Sequence, residues 1–184
     1  MRILSRIAAC TFTALFAVSV QAEEFVYETR GANLFSFDVP DGWEVLEGVE
    51  VPEAQAADGT PLSPKVVSIR PPDEEGVMWT GFWSPVRLSS ISGAKSWMER
   101  VIPYLLAEPE NLYYDRRTVG GKPTRFYSGQ GVRDGRDFDY AFAIIQISPD
   151  HVAVAAFIGE PDAYDRHEQE LIGVLRSIAA TEAM

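Results

Sequence analysis

The chain is poor in the residues that carry most enzyme and metal chemistry. It has one cysteine, Cys10, and two histidines, His151 and His167, in 184 residues. A single thiol excludes an intrachain disulfide framework and a thiolate metal cluster. Hydrolytic catalysis by serine needs a base and an orienting group, and neither histidine belongs to a G-x-S-x-G motif. Phosphate-binding glycine loops are also missing, because Val119-Gly120-Gly121-Lys122-Pro123 has neither the spacing nor the following helix. Cations are scarce: 16 Lys plus Arg stand against 27 Asp plus Glu, a net charge of −11. That balance argues against nucleic acid or an anionic membrane as partner, since both require neutralising cations. The longest apolar run, Ile7 to Val20, is about 14 residues against the roughly 20 needed to span a bilayer.

That run reads as a leader. Arg2 and Arg6 precede it, and Val20-Gln21-Ala22 ends it with the small and aliphatic residues a signal peptidase accepts. Residues 1–22 are therefore expected to be a signal peptide cleaved after Ala22, with one domain over 23–184 located in the periplasm and no stable membrane anchor. Ile7-Ala8-Ala9-Cys10 loosely resembles a lipobox, but the apolar segment would follow the cysteine instead of preceding it. Cleavage removes Arg2, Arg6 and Cys10, leaving 14 cations against 27 acids, a net of −13.

What is present is a β-meander. Thr124 to Arg133 and Arg136 to Ser148 flank Asp134-Gly135, the signature of a two-residue hairpin turn. Such a turn predicts that Arg133 opposes Arg136, Gly131 opposes Phe138, Gly129 opposes Tyr140, Tyr127 opposes Phe142 and Arg125 opposes Ile144, placing two aromatics over two glycines. Ser148-Pro149-Asp150-His151 is a second turn, returning His151 to Ala156 along Ile147 to Ala143. Earlier strands are expected at Glu24 to Glu28, Asn33 to Val39, Trp43 to Gly48, Lys65 to Arg70, Val77 to Val86 and Leu112 to Val119. The stretch from Val49 to Pro64 reads as a surface loop, and Pro71 to Gly76 as a turn.

Ser90 or Ser92 caps a helix carrying Ala94, Trp97, Val101, Tyr104 and Leu105, which Pro103 should kink or end. Pro161 and Asp162 start a final helix with Tyr164, Leu171, Val174, Leu175 and Ile178 as its stripe. Period-2 reading gives two apolar sheet faces. One carries Tyr127, Phe138, Tyr140, Phe142, Ile144 and Phe157. The other carries Phe126, Ala141, Ala143, Ile145, Ile147, Val152, Val154 and Ile158. Both faces need cover, most simply by helices. The fold class expected is α+β, an α/β/α sandwich on an antiparallel sheet of about six or seven strands with helices on both faces. Trp79, Phe82 and Trp83 are expected in the core instead of on a recognition surface.

Two clusters invite a functional reading. His167-Glu168-Gln169-Glu170-Leu171 approaches the H-E-x-x-H zinc motif, but Leu171 replaces the second imidazole, and a solvated helix face accounts for the same letters. Arg116, Arg117, Arg125, Arg133 and Arg136 concentrate cations within 21 residues of an acidic chain. Arg116, Arg125, Arg133 and Arg136 are the candidate binding residues for an anion or an acidic partner. The competing account is local charge balance with Asp115, Asp134, Asp137 and Asp139. No metal, cofactor or catalytic residue is expected.

The order of these signals, with Phe35-x-Phe37-x-Val39-Pro40-Asp41-Gly42-Trp43 as its most specific element, resembles the PsbP-like and Mog-type superfamily over about Phe25 to Ile178. The resemblance implies an α/β/α sandwich and a family made mostly of non-catalytic accessory proteins. The function expected is a non-enzymatic exported accessory protein, monomeric or weakly associated, that binds a protein or envelope component. The alternative is a periplasmic small-molecule or metal-binding protein with a pocket between the sheet and the helix containing Trp97.

Overall fold

The turn at Asp134-Gly135 closes as its letters require. In the computed structural model both residues have positive φ, 52° and 74°, the two-residue geometry whose twist matches that of the flanking strands. The structure describes residues 22–29, 31–48, 65–72, 77–85 and 88–181. The leader up to residue 21, the loop from Val49 to Pro64 and most of the turn after Pro72 lie outside the described residues.

The elements in chain order are β1 (Glu23–Thr29), β2 (Ala32–Val39), β3 (Glu44–Glu47), β4 (Val67–Arg70), β5 (Met78–Trp83), α1 (Ile91–Leu105), β6 (Ala107–Val119), β7 (Lys122–Arg133), β8 (Arg136–Ser148), β9 (His151–Gly159), α2 (Ala163–Ser177) and β10 (Ala179–Ala180). The architecture is α+β, mostly antiparallel sheet with two helices. A seven-stranded sheet runs β3-β4-β5-β9-β8-β7-β6, and a separate three-stranded sheet runs β1-β2-β10. The β7–β8 register is the one the hairpin turn predicts, with Gly129 opposite Tyr140, Tyr127 opposite Phe142 and Arg125 opposite Ile144. At Gly131 the close neighbour is Leu106, not Phe138: an added Cβ would lie 3.0 Å from the Leu106 Cβ.

Two expectations change. The first strand pair does not join the main sheet; it is closed into its own sheet by Ala179 and Ala180 opposite Ser36 and Phe35. It packs through aromatic rings, Tyr27 stacked on Phe35 at 4.6 Å and Phe37 on Phe82 at 4.4 Å. The face lists also exchange members. Tyr140 opposes Ile158, Ile144 opposes Val154 and Ala141 opposes Phe157, so Val152, Val154 and Ile158 share the face of Tyr140, and Phe157 shares that of Ala141. Opposed residues lie on one face, and the second turn pairs even numbers with even numbers. Pro103 lies two residues before the end of α1, which runs to Leu105 and closes with the Leu106 N–H on the Ile102 carbonyl at 3.0 Å.

Ser90 caps α1, its hydroxyl accepting from the Gly93 N–H at 3.1 Å. Phe82 and Trp83 are buried and Trp79 is partly so, its indole N–H donating to Ser68 at 2.8 Å. Trp83 in turn meets Trp97 of α1 at 6.2 Å. Beneath this layer Ile144, Val154 and Ile145 are fully or almost fully buried.

Gly129 is the tightest point of the central sheet. A Cβ there would collide with the Glu110 carbonyl and lie 2.6 Å from the Tyr140 hydroxyl oxygen, which itself donates to that carbonyl at 3.1 Å. Gly129→Ala is expected to destabilise the protein by about 1–3 kcal/mol. Gly173→Ala, on the open face of α2 where a Cβ meets nothing within 4 Å, is expected to stabilise it by about 0.4–1 kcal/mol. Thermal unfolding of the two variants checks both signs.

Candidate functional site

The glycine turn at Gly120-Gly121 sets the pairing of β6 with β7, and with it the arrangement of the cationic residues. Val119 opposes Lys122, Arg116 opposes Arg125 and Tyr114 opposes Tyr127. In a two-residue hairpin the closing pair is hydrogen-bonded and pairs alternate outward, so Arg116/Arg125 and Tyr114/Tyr127 are the closer, non-hydrogen-bonded kind. The tyrosine rings lie 5.0 Å apart, and Arg116 Nε donates to the Tyr114 hydroxyl at 2.8 Å. Two guanidinium groups therefore stand side by side on one face. Among the described residues neither has a carboxylate within ion-pairing distance; Arg125 donates to the Thr124 carbonyl at 3.2 Å and, with Arg116, turns toward the Tyr114 hydroxyl.

Arg133 and Arg136 do not join them. They oppose each other at the tip of the β7–β8 hairpin; Arg133 is eight residues from Arg125, which at a strand rise of about 3.3 Å per residue is roughly 26 Å away. Arg136 is ion-paired with Glu160 and lies over the Phe138 ring, and Arg133 is 3.9 Å from Asp134. The cations thus form two separate groups, with local charge balance at the hairpin tip.

Beside the Arg116/Arg125 pair, α1 and the sheet enclose a pocket of about 340 Å³ lined by Met98, Ile102, Phe142, Tyr114 and Tyr127. Lys95, ion-paired to Glu99, lies 5.8 Å from the Tyr127 ring centre at its edge. This is the pocket expected next to the helix containing Trp97. Tyr113 and Tyr114 project from the outermost strand and are 50% and 46% exposed. Sequence reasoning passed over both, although Tyr113 to Arg117 alternates so that Tyr114 and Arg116 share one face while Tyr113, Asp115 and Arg117 share the other.

The second face holds a larger cleft, of about 800 Å³, between α2 and the sheet. Phe126, Ala141 and Phe157 form its floor and Tyr164 and Leu175 its helix side. Arg117 enters here, paired with Asp115 and 5.6 Å from the centre of the Phe126 ring. The hydrogen bond from Arg117 holds the Asp115 carboxyl below its ordinary range, helped by the Arg116 N–H, which donates to Asp115 Oδ1 at 2.7 Å. His167 stands edge-on to Trp43 at 5.4 Å.

No known protein family and no curated protein matches the chain in sequence. In structure it is similar to cyanobacterial PsbP (CyanoP) from Synechocystis sp. PCC 6803, with a TM-score of 0.53 at 13% identity, over 95% of this chain and 99% of that one. It is also similar to LpqN, involved in cell envelope biogenesis of Mycobacterium tuberculosis, with a TM-score of 0.48, 12% identity and coverage of 86% and 91%. A third similar structure is PA94 from Pseudomonas aeruginosa, a protein of unknown function, with a TM-score of 0.47, 11% identity and coverage of 87% and 99%. The fold is PsbP-like; nothing in these likenesses supports the Mog-type part of the resemblance.

The two neighbouring tyrosines are shifted in opposite directions. The hydrogen bond from Arg116, with the charges of Arg116 and Arg125, lowers the Tyr114 phenol. Burial, with the neighbouring Tyr114, pushes Tyr127 up to about 12. In an absorbance titration at alkaline pH, Tyr114→Phe is expected to remove an early-ionising tyrosine and Tyr127→Phe a late-ionising one. An unfolded chain loses the Tyr127 proton near pH ~10 while the folded one keeps it to about pH 12. The folded state binds more protons in that window, so stability falls as pH rises through it, and Tyr127→Phe is expected to make the fall shallower.

Proposed function

We propose that this is a non-enzymatic exported accessory protein, acting in the periplasm as a monomer or weak oligomer after cleavage following Ala22, which binds a partner protein through the Tyr–Arg face of β6 and β7. The architecture is read as an α/β/α sandwich in which the three-stranded sheet shares a layer with α2. The PsbP-like fold supports an accessory role, because the resemblance drawn from the sequence is to a family made mostly of non-catalytic proteins.

One observation carries the reading: Arg116 and Arg125 stand directly opposite each other and, among the described residues, neither is ion-paired. Like charges directly opposed destabilise a strand pair, on a chain that has acids to spare. An acidic group of a partner placed between them relieves that repulsion through charge-assisted, bidentate hydrogen bonds. Exposed tyrosine and arginine are the residues enriched where interfaces bind most tightly. The adjoining pocket of about 340 Å³ suits an apolar anchor side chain. The partner segment is thus an acidic residue next to a large apolar one.

Arg116→Glu converts the opposed pair into a cross-strand ion pair and is expected to raise stability by about 0.2–1 kcal/mol. The same change, combined with Arg125→Glu, is expected to weaken capture of a defined periplasmic partner by more than about tenfold. Arg133→Glu with Arg136→Glu, at the far end of β7, is expected to leave capture unchanged. Equal capture by both double variants, measured with quantified cross-linking from periplasmic extract, would overturn the assignment.

A further inference from the structure

We propose that the cleft between α2 and the sheet is a second binding site, independent of the Tyr–Arg face, for an organic cation with an apolar body, such as a quaternary ammonium compound. At about 800 Å³ it lies within the range of sites that enclose a drug-sized ligand. Its floor is aromatic, with Phe126 and Phe157 from the sheet and Tyr164 from α2, the last two rings meeting edge to face at 5.4 Å.

The charge around this floor has one sign in excess. Asp139, Asp162, Asp165 and Glu168 line the cleft against Arg117 and Arg176, and Arg117 is already held by Asp115. The partial positive charge at the start of α2 is met by Asp165. Tyr164 registers the surplus: its phenol is pushed up by burial first and then by Glu168. An anionic ligand would face these carboxylates.

Two observations narrow the cation. Among the described residues no three carboxylate or imidazole groups come together as metal ligands do. The acids are distributed around an apolar floor, which matches a diffuse charge on a bulky body and not a compact ion demanding convergent oxygens. The cleft also shows its preference internally, since the guanidinium of Arg117 lies 5.6 Å from the centre of the Phe126 ring. Attraction of a cation to these ring faces is used by the chain itself, and a ligand cation would use the same attraction at Phe157 and Tyr164.

The test is calorimetric titration of the intact protein with benzyltriethylammonium and, separately, with 4-tert-butylbenzoate, an anion of comparable bulk. The cation is expected to bind at least about tenfold more tightly than the anion. Asp165→Asn with Glu168→Gln is expected to weaken cation binding by roughly fivefold, in line with two partly solvated charges. Arg117→Gln, which withdraws the resident cation, is expected to tighten it. Asp134→Asn with Asp137→Asn at the hairpin tip controls for net charge and is expected to change nothing. Preference for the anion, binding of neither probe, or an equal response to the two acidic double variants would overturn the proposal. Arg116→Glu with Arg125→Glu is expected to retain cation binding, which separates a failure here from a failure of the partner face.

Discussion

Strand register is the constraint on which this structure rests. Two tight turns, Gly120-Gly121 and Asp134-Gly135, align β6, β7 and β8 residue by residue. From that alignment follow Tyr140 over Gly129, Tyr114 on Tyr127, and Arg116 opposite Arg125. A slip of one residue would send every one of these side chains to the other face of the sheet. Both halves of the buried interior would then lose their aromatic contacts, so the turns and the core specify the same alignment.

Alternation along β6 gives adjacent residues unrelated surroundings. Tyr114 lines the smaller pocket beside α1, with Arg116 on the same face of the strand, whereas Arg117 lines the larger cleft beside α2, with Asp115 on its face. One short run of chain therefore contributes to two surfaces of different chemistry. The first presents guanidinium groups with no ion pair among the described residues, and the second presents a surplus of carboxylates over aromatic rings. The Arg117–Asp115 pair separates them electrically, since it sets a neutralised cation on the second face directly behind the exposed ones on the first.

Much of this was legible in the letters, for physical reasons. Asp134-Gly135 has only one good hairpin geometry, so the β7–β8 pairing could be written down in advance. Ser90 with its cap, the burial of Phe82 and Trp83, and the two helices follow from local patterns of the same kind. The three-stranded sheet was not legible because its third strand is two alanines, Ala179 and Ala180, with no periodicity to read. The placement of Phe157 failed on parity across the second turn, and that hid the larger cleft, whose floor contains this ring. Of the candidate cations, Arg116 and Arg125 were recognisable as a pair once β6 was aligned to β7. Arg133 and Arg136 were grouped with them by closeness in sequence, which an extended strand converts into distance.

Asp115 has a consequence for how the molecule behaves in a crowded compartment. As the terminal strand of the large sheet, β6 carries a long rim of backbone groups that could template pairing with a foreign strand. The Asp115 carboxylate occupies the Arg116 N–H, and register irregularities interrupt the strand before Tyr113. Main-chain addition is thereby obstructed at Arg116 and at the irregular start of the strand, while the side chains stay presented. Recognition at this edge then falls mainly to side chains, and self-propagating assembly of the sheet is discouraged along it.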